Sequence, residues 1–81
     1  MISRREMREL LRGNDLYIEQ ITASAFYLSP EERSLLLFRY SQRVTWSFLE
    51  FRLHLSRATL TRIDAQLIDK LRENEQGKGH E

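Results

Sequence analysis

The sequence contains no cysteine, which excludes a disulfide framework and thiolate-based metal sites. It also lacks any apolar run near the roughly 20 residues that cross a bilayer, and its charged start lacks the apolar stretch of a secretory signal. These absences favour a soluble cytoplasmic protein with no membrane partner. The length of 81 residues suits one small domain, and a composition of 41% hydrophobic and 31% charged residues is ordinary for a globular chain.

Motifs that carry catalysis or bind metals are also missing from the sequence. His54 and His80 have no sequence-local partner that would form a nucleophile or metal pattern, and there is no glycine-rich phosphate loop or HExxH motif. The adjacent Glu31 and Glu32 fit the negative charge preferred at a helix start better than an acid–base pair. We therefore expect a protein that is not an enzyme and that uses no cofactor or metal.

Proline and glycine are scarce, with one and three residues respectively, and no stretch alternates polar and apolar residues as strands do. The pattern predicts an all-α fold, a compact bundle of about five helices with short connections. We expect a single helical domain at 1–73, with N-terminal helices within 1–27, and a flexible polar tail at 74–81. The later helices are predicted from Pro30, at 46–54 and from 57 to about 73.

Small polar residues that favour the N-cap position precede every predicted helix. They are Ser3, Asn14 or Asp15, Ser29, Thr45 and Ser56. Ser3 and Glu6 have the spacing of a capping box, and Pro30 occupies the preferred first helical position. The second helix is predicted at roughly 15–27, with Phe26 on its apolar face. The third helix is apolar around much of its circumference, so we expect it at the centre of the bundle.

Positive charge is concentrated in the middle of the chain, although the formal net charge is only +1. Residues 33–62 hold six arginines and one glutamate, whereas the flanking blocks, 1–32 and 63–81, each carry a net charge of −2. Arginine forms bidentate contacts with phosphate and guanine, so the central block points to a nucleic-acid partner. The alternative is that these arginines only cover solvated helix faces.

The centre of the basic block has the residue pattern of a helix-turn-helix. Leu49 and Leu53 lie four residues apart on the first helix, Leu55 can fill the turn, and Leu60 and Ile63 supply buried positions on the second helix. In such a unit the first helix braces the second, which enters the major groove by its N-terminal end.

From "LSPEERSLLLFRY" through "VTWSFLEFRLHLSRATLTRIDAQLIDKL", residues 28–71, the chain resembles region 4 of bacterial sigma-70-type factors. It is still more similar to small phage-encoded regulators of the RinA/ArpU type, which share that helix-turn-helix. The motif L-S-R-x-T-h-x-R-I, where h is apolar, follows a short helix that begins with Trp46. The resemblance implies sequence-specific binding of double-stranded DNA and transcriptional control by a phage or prophage protein.

The resemblance also implies two sets of DNA-contacting residues. Those that would face base edges or nearby phosphates are Arg57, Ala58, Thr59, Thr61 and Arg62. Those that are candidates for backbone contacts are Arg39, Arg43, Thr45, Arg52 and Ser56. Backbone contacts orient a protein on the duplex, whereas base contacts carry the sequence information.

Two residues depart from the family's pattern at the bend. Glu50 stands where a small residue usually faces the second helix, and His54 stands where a glycine usually enters the turn. Histidine is one of the few non-glycine residues that visit positive φ. A bulky acid at a close helix contact would separate the helices unless it paired with a cation. Either the bend is wider than usual, or the family register shifts by one residue at Glu50.

A second function stays open because of the aromatic residues in the fourth helix. Phe48 and Phe51 cannot fully share the inward face with Leu49 and Leu53, so one of them is exposed or covered by the N-terminal helices or a second subunit. Sigma region 4 contacts RNA polymerase as well as DNA, so the resemblance also allows a protein-interaction module. A single small module needs help to reach useful affinity, either from a homodimer or from the polymerase.

Overall fold

Five α-helices and one π-helical segment make up the part of the chain that the computed structural model describes, residues 2–78. The helices are α1 (Arg4–Leu11), α2 (Asp15–Ser24), α3 (Pro30–Leu35), α4 (Trp46–Leu53) and α5 (Arg57–Lys78). The π-helical segment, Leu36–Ser41, continues directly from α3. The predicted all-α fold of about five helices is therefore confirmed. Within this range, no helix combines the length and apolar character that crossing a membrane requires.

Side-chain caps begin the helices where the sequence predicts them. Ser3 accepts a hydrogen bond from the Glu6 backbone N–H at 3.1 Å, and the Glu6 carboxylate accepts one from the Ser3 N–H, which completes a capping box. Ser29 and Glu32 form a second box in the same way, ahead of Pro30. The residues that cap by a single side-chain acceptor are Asn14, Thr45 and Ser56.

The core of the bundle forms around α5, which packs against α1, α3 and α4. Buried side chains recur along α5 at nearly every helical turn, beginning with Leu60 and ending with Leu71. They meet Met7 and Leu11 of α1, Leu35 of α3 and other buried apolar residues of the same core. The third helix and its π-helical continuation contact α2, α4 and α5, so the predicted central element occupies that position.

The helical turns become wider in the π-helical segment that precedes α4. The Gln42 N–H donates to the Leu37 carbonyl, five residues earlier, at 2.9 Å. The Val44 N–H reaches back further, to the Phe38 carbonyl at 3.0 Å. The chain then passes through Arg43, whose φ of 58° is in the left-handed region that L-residues rarely adopt. This geometry directs the residues after α3 around the start of α4.

The predicted end of the second helix is wrong. The structure ends α2 at Ser24, and Phe26 is 89% exposed instead of lying on an apolar helical face. The Arg33 guanidinium donates to the Ala25 carbonyl at 2.6 Å, and the Leu28 N–H donates to the same oxygen. The Ala25 backbone has already left helical geometry, with ψ 67°, and these bonds satisfy its carbonyl in a turn that replaces the last predicted helical residues.

The last helix also extends beyond its predicted end near residue 73, since α5 continues to Lys78. The Tyr17 hydroxyl donates to the Glu75 carboxylate, and Arg72 donates to the Ile2 carbonyl at 2.8 Å. These contacts attach the late turns of α5 to the N-terminal part of the chain. The predicted tail therefore begins inside a helix, and its residues 79–81, with His80, lie outside the described residues.

Candidate nucleic-acid interface

A bend of three residues joins α4 to α5. His54 ends α4 with φ 56° and ψ 42°, the left-handed conformation that glycine would adopt most readily. Leu55 is half-buried against the core, and Ser56 accepts the Thr59 N–H at 3.2 Å to begin α5. Two helices therefore meet through a tight connection, with a histidine in a conformation that glycine adopts more readily.

Glu50 lies at the contact between the two helices and pairs with a cation. Its Oε2 is 3.3 Å from Nη2 of Arg57, in the first turn of α5. Leu49 and Leu60 are both fully buried beside this pair, so the helices are packed closely despite the acid. The ion pair is the compensation that a bulky carboxylate requires at this position.

Trp46, the first residue of α4, is flanked by two arginines. The Arg39 guanidinium carbon lies 4.7 Å from the centroid of the indole ring, and that of Arg57 lies 6.0 Å from it. Arg39 also donates to the Val44 carbonyl at 2.8 Å. A cation–π contact at an exposed site contributes about 0.5–1 kcal/mol. These contacts hold both arginines at one edge of the bihelical unit, which is formed by α4 and α5.

An open groove of about 760 Å³ extends from the α1–α2 turn to the first turns of α5, and we call it the arginine groove. The residues that line it are Arg8, Arg12, Gly13, Arg39, Tyr40, Arg43, Trp46, Arg57, Thr61 and Asp64. Five of them are arginine and one is aspartate, so the lining is strongly positive. A concave surface of one charge focuses the electrostatic field and attracts ligands of the opposite charge.

Asp64 forms the buried floor of the arginine groove. Its Oδ1 accepts the Tyr40 hydroxyl at 2.6 Å, and its Oδ2 accepts Nη2 and Nε of Arg8 at 2.9 and 3.3 Å. Burial, together with the Asp64 carboxylate, raises the pKa of Tyr40, so the hydroxyl stays protonated and donates. Asp64 therefore pairs with Arg8 and does not neutralise any of the other arginines that line the groove.

The sequence patterns do not identify Asp64, Tyr40, Arg8 or Arg12 as site residues. One signal was available for Asp64, which lies four residues after the buried Leu60 and so falls on the apolar face of α5. A charged residue on a buried helical face needs a partner. Arg8 and Arg12 gave no comparable signal, because nothing in the local sequence relates them to the groove residues of later elements.

The structure brings four of the ten predicted DNA-contacting residues into the arginine groove. They are Arg39, Arg43, Arg57 and Thr61. Arg52, Ala58 and Arg62 are exposed outside it. The remaining three are engaged in capping. Thr45 and Ser56 cap α4 and α5, and the Thr59 hydroxyl accepts a hydrogen bond from Ser56 at 3.0 Å.

Exposed side chains of opposite character lie on the two helices of the bihelical unit. On α5, Arg62 forms no hydrogen bond or ion pair within the described part of the chain, and it shares a face with Ala58, four residues earlier. On α4, Phe51 is 77% exposed and Phe48 is 45% exposed, so both aromatics are outside the core instead of one.

No family model, curated protein or solved structure matches this chain. The likeness to sigma region 4 and to the RinA/ArpU-type regulators therefore depends on the motif within residues 28–71.

Proposed function

We propose that the protein is a sequence-specific DNA-binding transcriptional regulator of phage or prophage origin, which places the N-terminal half of α5 in the major groove. The observation that carries the proposal is the concentration of arginines at the start of α5. Arg57 and Arg62 both lie in its first two turns, and the arginine groove adjoins them. The brace that a recognition helix needs can be supplied by α4, which packs against α5 and contributes Leu49 to the core that also holds Leu60.

The exposed face of α5 offers chemistry that suits base edges. The major groove is about 12 Å wide and admits one α-helix. Arg62 has an uncommitted guanidinium that can donate two hydrogen bonds to O6 and N7 of guanine, while the Ala58 methyl can contact the methyl group of thymine. Arg57 is held by Glu50 and Trp46, so it enters the interface already oriented.

The most informative experiment selects bound duplexes from a random pool with the full chain. We expect enrichment of a defined sequence, and we expect Arg62→Ala to bind that sequence about 5- to 150-fold more weakly, since one bidentate contact contributes about 1–3 kcal/mol. The matched control is Arg5→Ala, because Arg5 is 89% exposed on α1 and outside the arginine groove. A palindromic sequence would indicate a homodimer, and a single half-site would indicate a monomer that RNA polymerase assists.

The outcome that contradicts DNA binding is equally clear. Arginine contacts with phosphates release counterions, so duplex affinity must fall steeply with salt. If no sequence is enriched and no salt-sensitive binding to any duplex is measured, the proposed function is wrong.

The exposed aromatics favour a second candidate function, a module that binds RNA polymerase or another host protein. Exposed apolar side chains that lie close together commonly mark contact sites, and Phe48 and Phe51 are neighbours on α4. The test is capture of purified RNA polymerase by the full chain and by Phe51→Ser. Capture that Phe51→Ser abolishes, in a protein without duplex binding, would replace the first function with this one.

A further inference from the structure

The turn between α1 and α2 contributes to the arginine groove although it lies outside the bihelical unit. Arg12 and Gly13, from this turn, line the groove together with Arg43, which precedes α4. We infer that Arg12 and Arg43 form a phosphate clamp, which grips the DNA backbone beside the recognition helix. The inference rests on the proposed DNA-binding function and adds the N-terminal helices to the DNA-contacting surface.

Arg12 and Arg43 differ from the other arginines of the groove because their side chains have no polar partner among the described residues. Arg8 pairs with Asp64, Arg57 pairs with Glu50, and Arg39 binds a carbonyl and the Trp46 ring. The side chains of Arg12 and Arg43 form no hydrogen bond or ion pair with any residue that the structure describes, and both residues are exposed. Their donors are therefore free for an anion from solution.

The Arg43 side chain of the clamp approaches the backbone of the α1–α2 turn at Gly13. Gly13 has φ +68°, and a Cβ built on it would lie 3.0 Å from Nη2 of Arg43. The Arg43 side chain therefore reaches the α1–α2 turn at Gly13, the residue after Arg12, in space that the absence of a Cβ leaves open. This contact brings a residue of the chain's first helical pair against the connection that leads into α4.

Arg43 itself has φ 58°, a left-handed conformation that is unfavourable for a residue with a Cβ. It follows the π-helical segment, where the Val44 N–H donates to the Phe38 carbonyl, and a left-handed residue is common at such a helix end. The backbone position of Arg43 is therefore fixed by the end of the segment. Its side chain forms no polar contact with the described residues, so the guanidinium remains available to a ligand.

The groove suits a phosphate because guanidinium groups bind phosphate oxygens in bidentate pairs. Such a phosphate could belong to a duplex or to a free compound such as a nucleotide. The position of the groove favours the duplex. Its wall includes Arg57 and Thr61 from the first turns of α5, so a helix inserted in the major groove would bring the flanking backbone to the groove's open side.

The inference is tested by the salt dependence of duplex binding, measured by fluorescence anisotropy with the selected duplex and the full chain. We expect Arg12→Gln and Arg43→Gln each to reduce the slope of log K against log salt by about 0.9, without changing the preferred sequence. Arg5→Gln, which removes an exposed α1 arginine outside the groove, should keep the wild-type slope. Thermal unfolding of each variant separates a lost contact from a lost fold.

A second measurement locates the contact. Single phosphates of the duplex are replaced in turn by neutral methylphosphonates, and the wild-type protein should lose affinity at one or two positions beside the base contacts. At those positions the replacement should reduce the duplex affinity of Arg12→Gln or Arg43→Gln far less, because the variant already lacks the arginine that contacts the phosphate.

Three results would overturn the clamp. If the wild type binds duplex and both variants keep its slope, the inference is wrong while the proposed function stands. If the wild type binds no duplex at all, the proposed function fails and the clamp fails with it. If calorimetric titration of the protein with pyrophosphate or ATP shows micromolar binding that Arg12→Gln abolishes, while duplex binding is unchanged, the groove is a site for a free phosphate compound.

Discussion

The first eight residues of α5, 57–64, and the remaining fourteen, 65–78, use their charged side chains differently. In the longer, C-terminal part, Asp69 pairs with α1 and Lys70 pairs with α3, at distances of 2.7 Å in both cases. In the N-terminal part, Arg57 and Asp64 are paired, whereas Arg62 is exposed and has no polar partner in the described part of the chain. Paired charges join the helix to the bundle, and unpaired charges remain available to a partner molecule.

Asp64 lies at the boundary between these two parts of α5 and shows which partners a buried charge requires. It is 4% exposed, and it binds Tyr40 and Arg8 from two other parts of the chain. A charged group at this depth is tolerated only because three donor atoms surround it. The comparison therefore predicts that the paired charges determine stability and the unpaired arginines determine binding.

The largest expected effect is the loss of the Asp64 hub. Asp64→Ala leaves the Tyr40 hydroxyl and the Arg8 guanidinium without their acceptor, and we expect the free energy of unfolding to fall by about 3 kcal/mol. Urea denaturation followed by circular dichroism measures the change. Asp69→Ala is the matched control, and its more exposed pairs should contribute about 1 kcal/mol or less. If the free energy of unfolding falls equally in the two variants, burial does not determine how much each carboxylate contributes to stability.

The second effect should appear in binding and not in stability. Arg62→Ala removes an exposed side chain without a polar partner among the described residues, so the free energy of unfolding should change by less than about 0.5 kcal/mol. Duplex affinity should nevertheless fall by about 5- to 150-fold. A large loss of stability in this variant would mean that Arg62 belongs to the fold, contrary to the comparison.

A third effect is the pH dependence that Glu32 confers. Burial by itself would raise the pKa of Glu32, but hydrogen bonds from Lys70 and from the Ser29 backbone and hydroxyl lower the pKa below its ordinary value. Because the pKa is lower in the folded state, the pair stabilises the fold above the unfolded-state pKa of about 4.3 and is lost as the pH falls through the folded-state pKa.

The test of that pair is Glu32→Gln, which keeps the shape and removes the charge. We expect a loss of about 1 kcal/mol at pH 7, where the ion pair with Lys70 is replaced by a hydrogen bond from the Lys70 ammonium to a neutral amide. The difference between wild type and variant should shrink as the pH falls below about 4. Thermal melts across the pH range measure it, and a difference that is constant with pH would contradict the assigned role of the Glu32 charge.

The smallest expected effect is a gain. His54→Gly relieves the left-handed conformation at the bend and should stabilise the protein by about 0.5 kcal/mol, with duplex affinity unchanged. Arg43→Gly relieves the same type of conformation but also removes the phosphate clamp, so it should gain stability and lose affinity. Differential scanning calorimetry and anisotropy, applied to both variants, separate the two outcomes.

The starts of the helices could be predicted from the sequence because capping is a local interaction. Ser3 and Ser29 act on backbone groups three residues ahead, so the necessary residues are adjacent in the chain. The end of α2 depends on Arg33, which takes the Ala25 carbonyl from eight residues away, and no periodicity reports such a bond. Local chemistry was therefore informative where tertiary contacts did not intervene.

The same distinction applies to the candidate interface. Arg57 and Arg62 are identified by a short motif, whereas the arginine groove joins Arg8 to Asp64 across 56 positions of the chain. The π-helical segment was equally inaccessible, because a run of apolar and aromatic residues predicts burial without distinguishing π from α geometry. Only the folded chain brings Arg12 and Arg43 to the same groove.

The π-helical segment has a consequence for how the chain tolerates changes in length. A π turn accommodates more residues than an α turn, so deleting one residue from Leu36–Ser41 would restore α geometry to part of the segment. The residues after the deletion would then keep nearly their present orientation about the helix axis, because the wider turn already absorbs the additional residue. A single deletion within Leu36–Ser41 should therefore be tolerated better than one within α5, where each lost residue rotates the side chains that follow by about 100°.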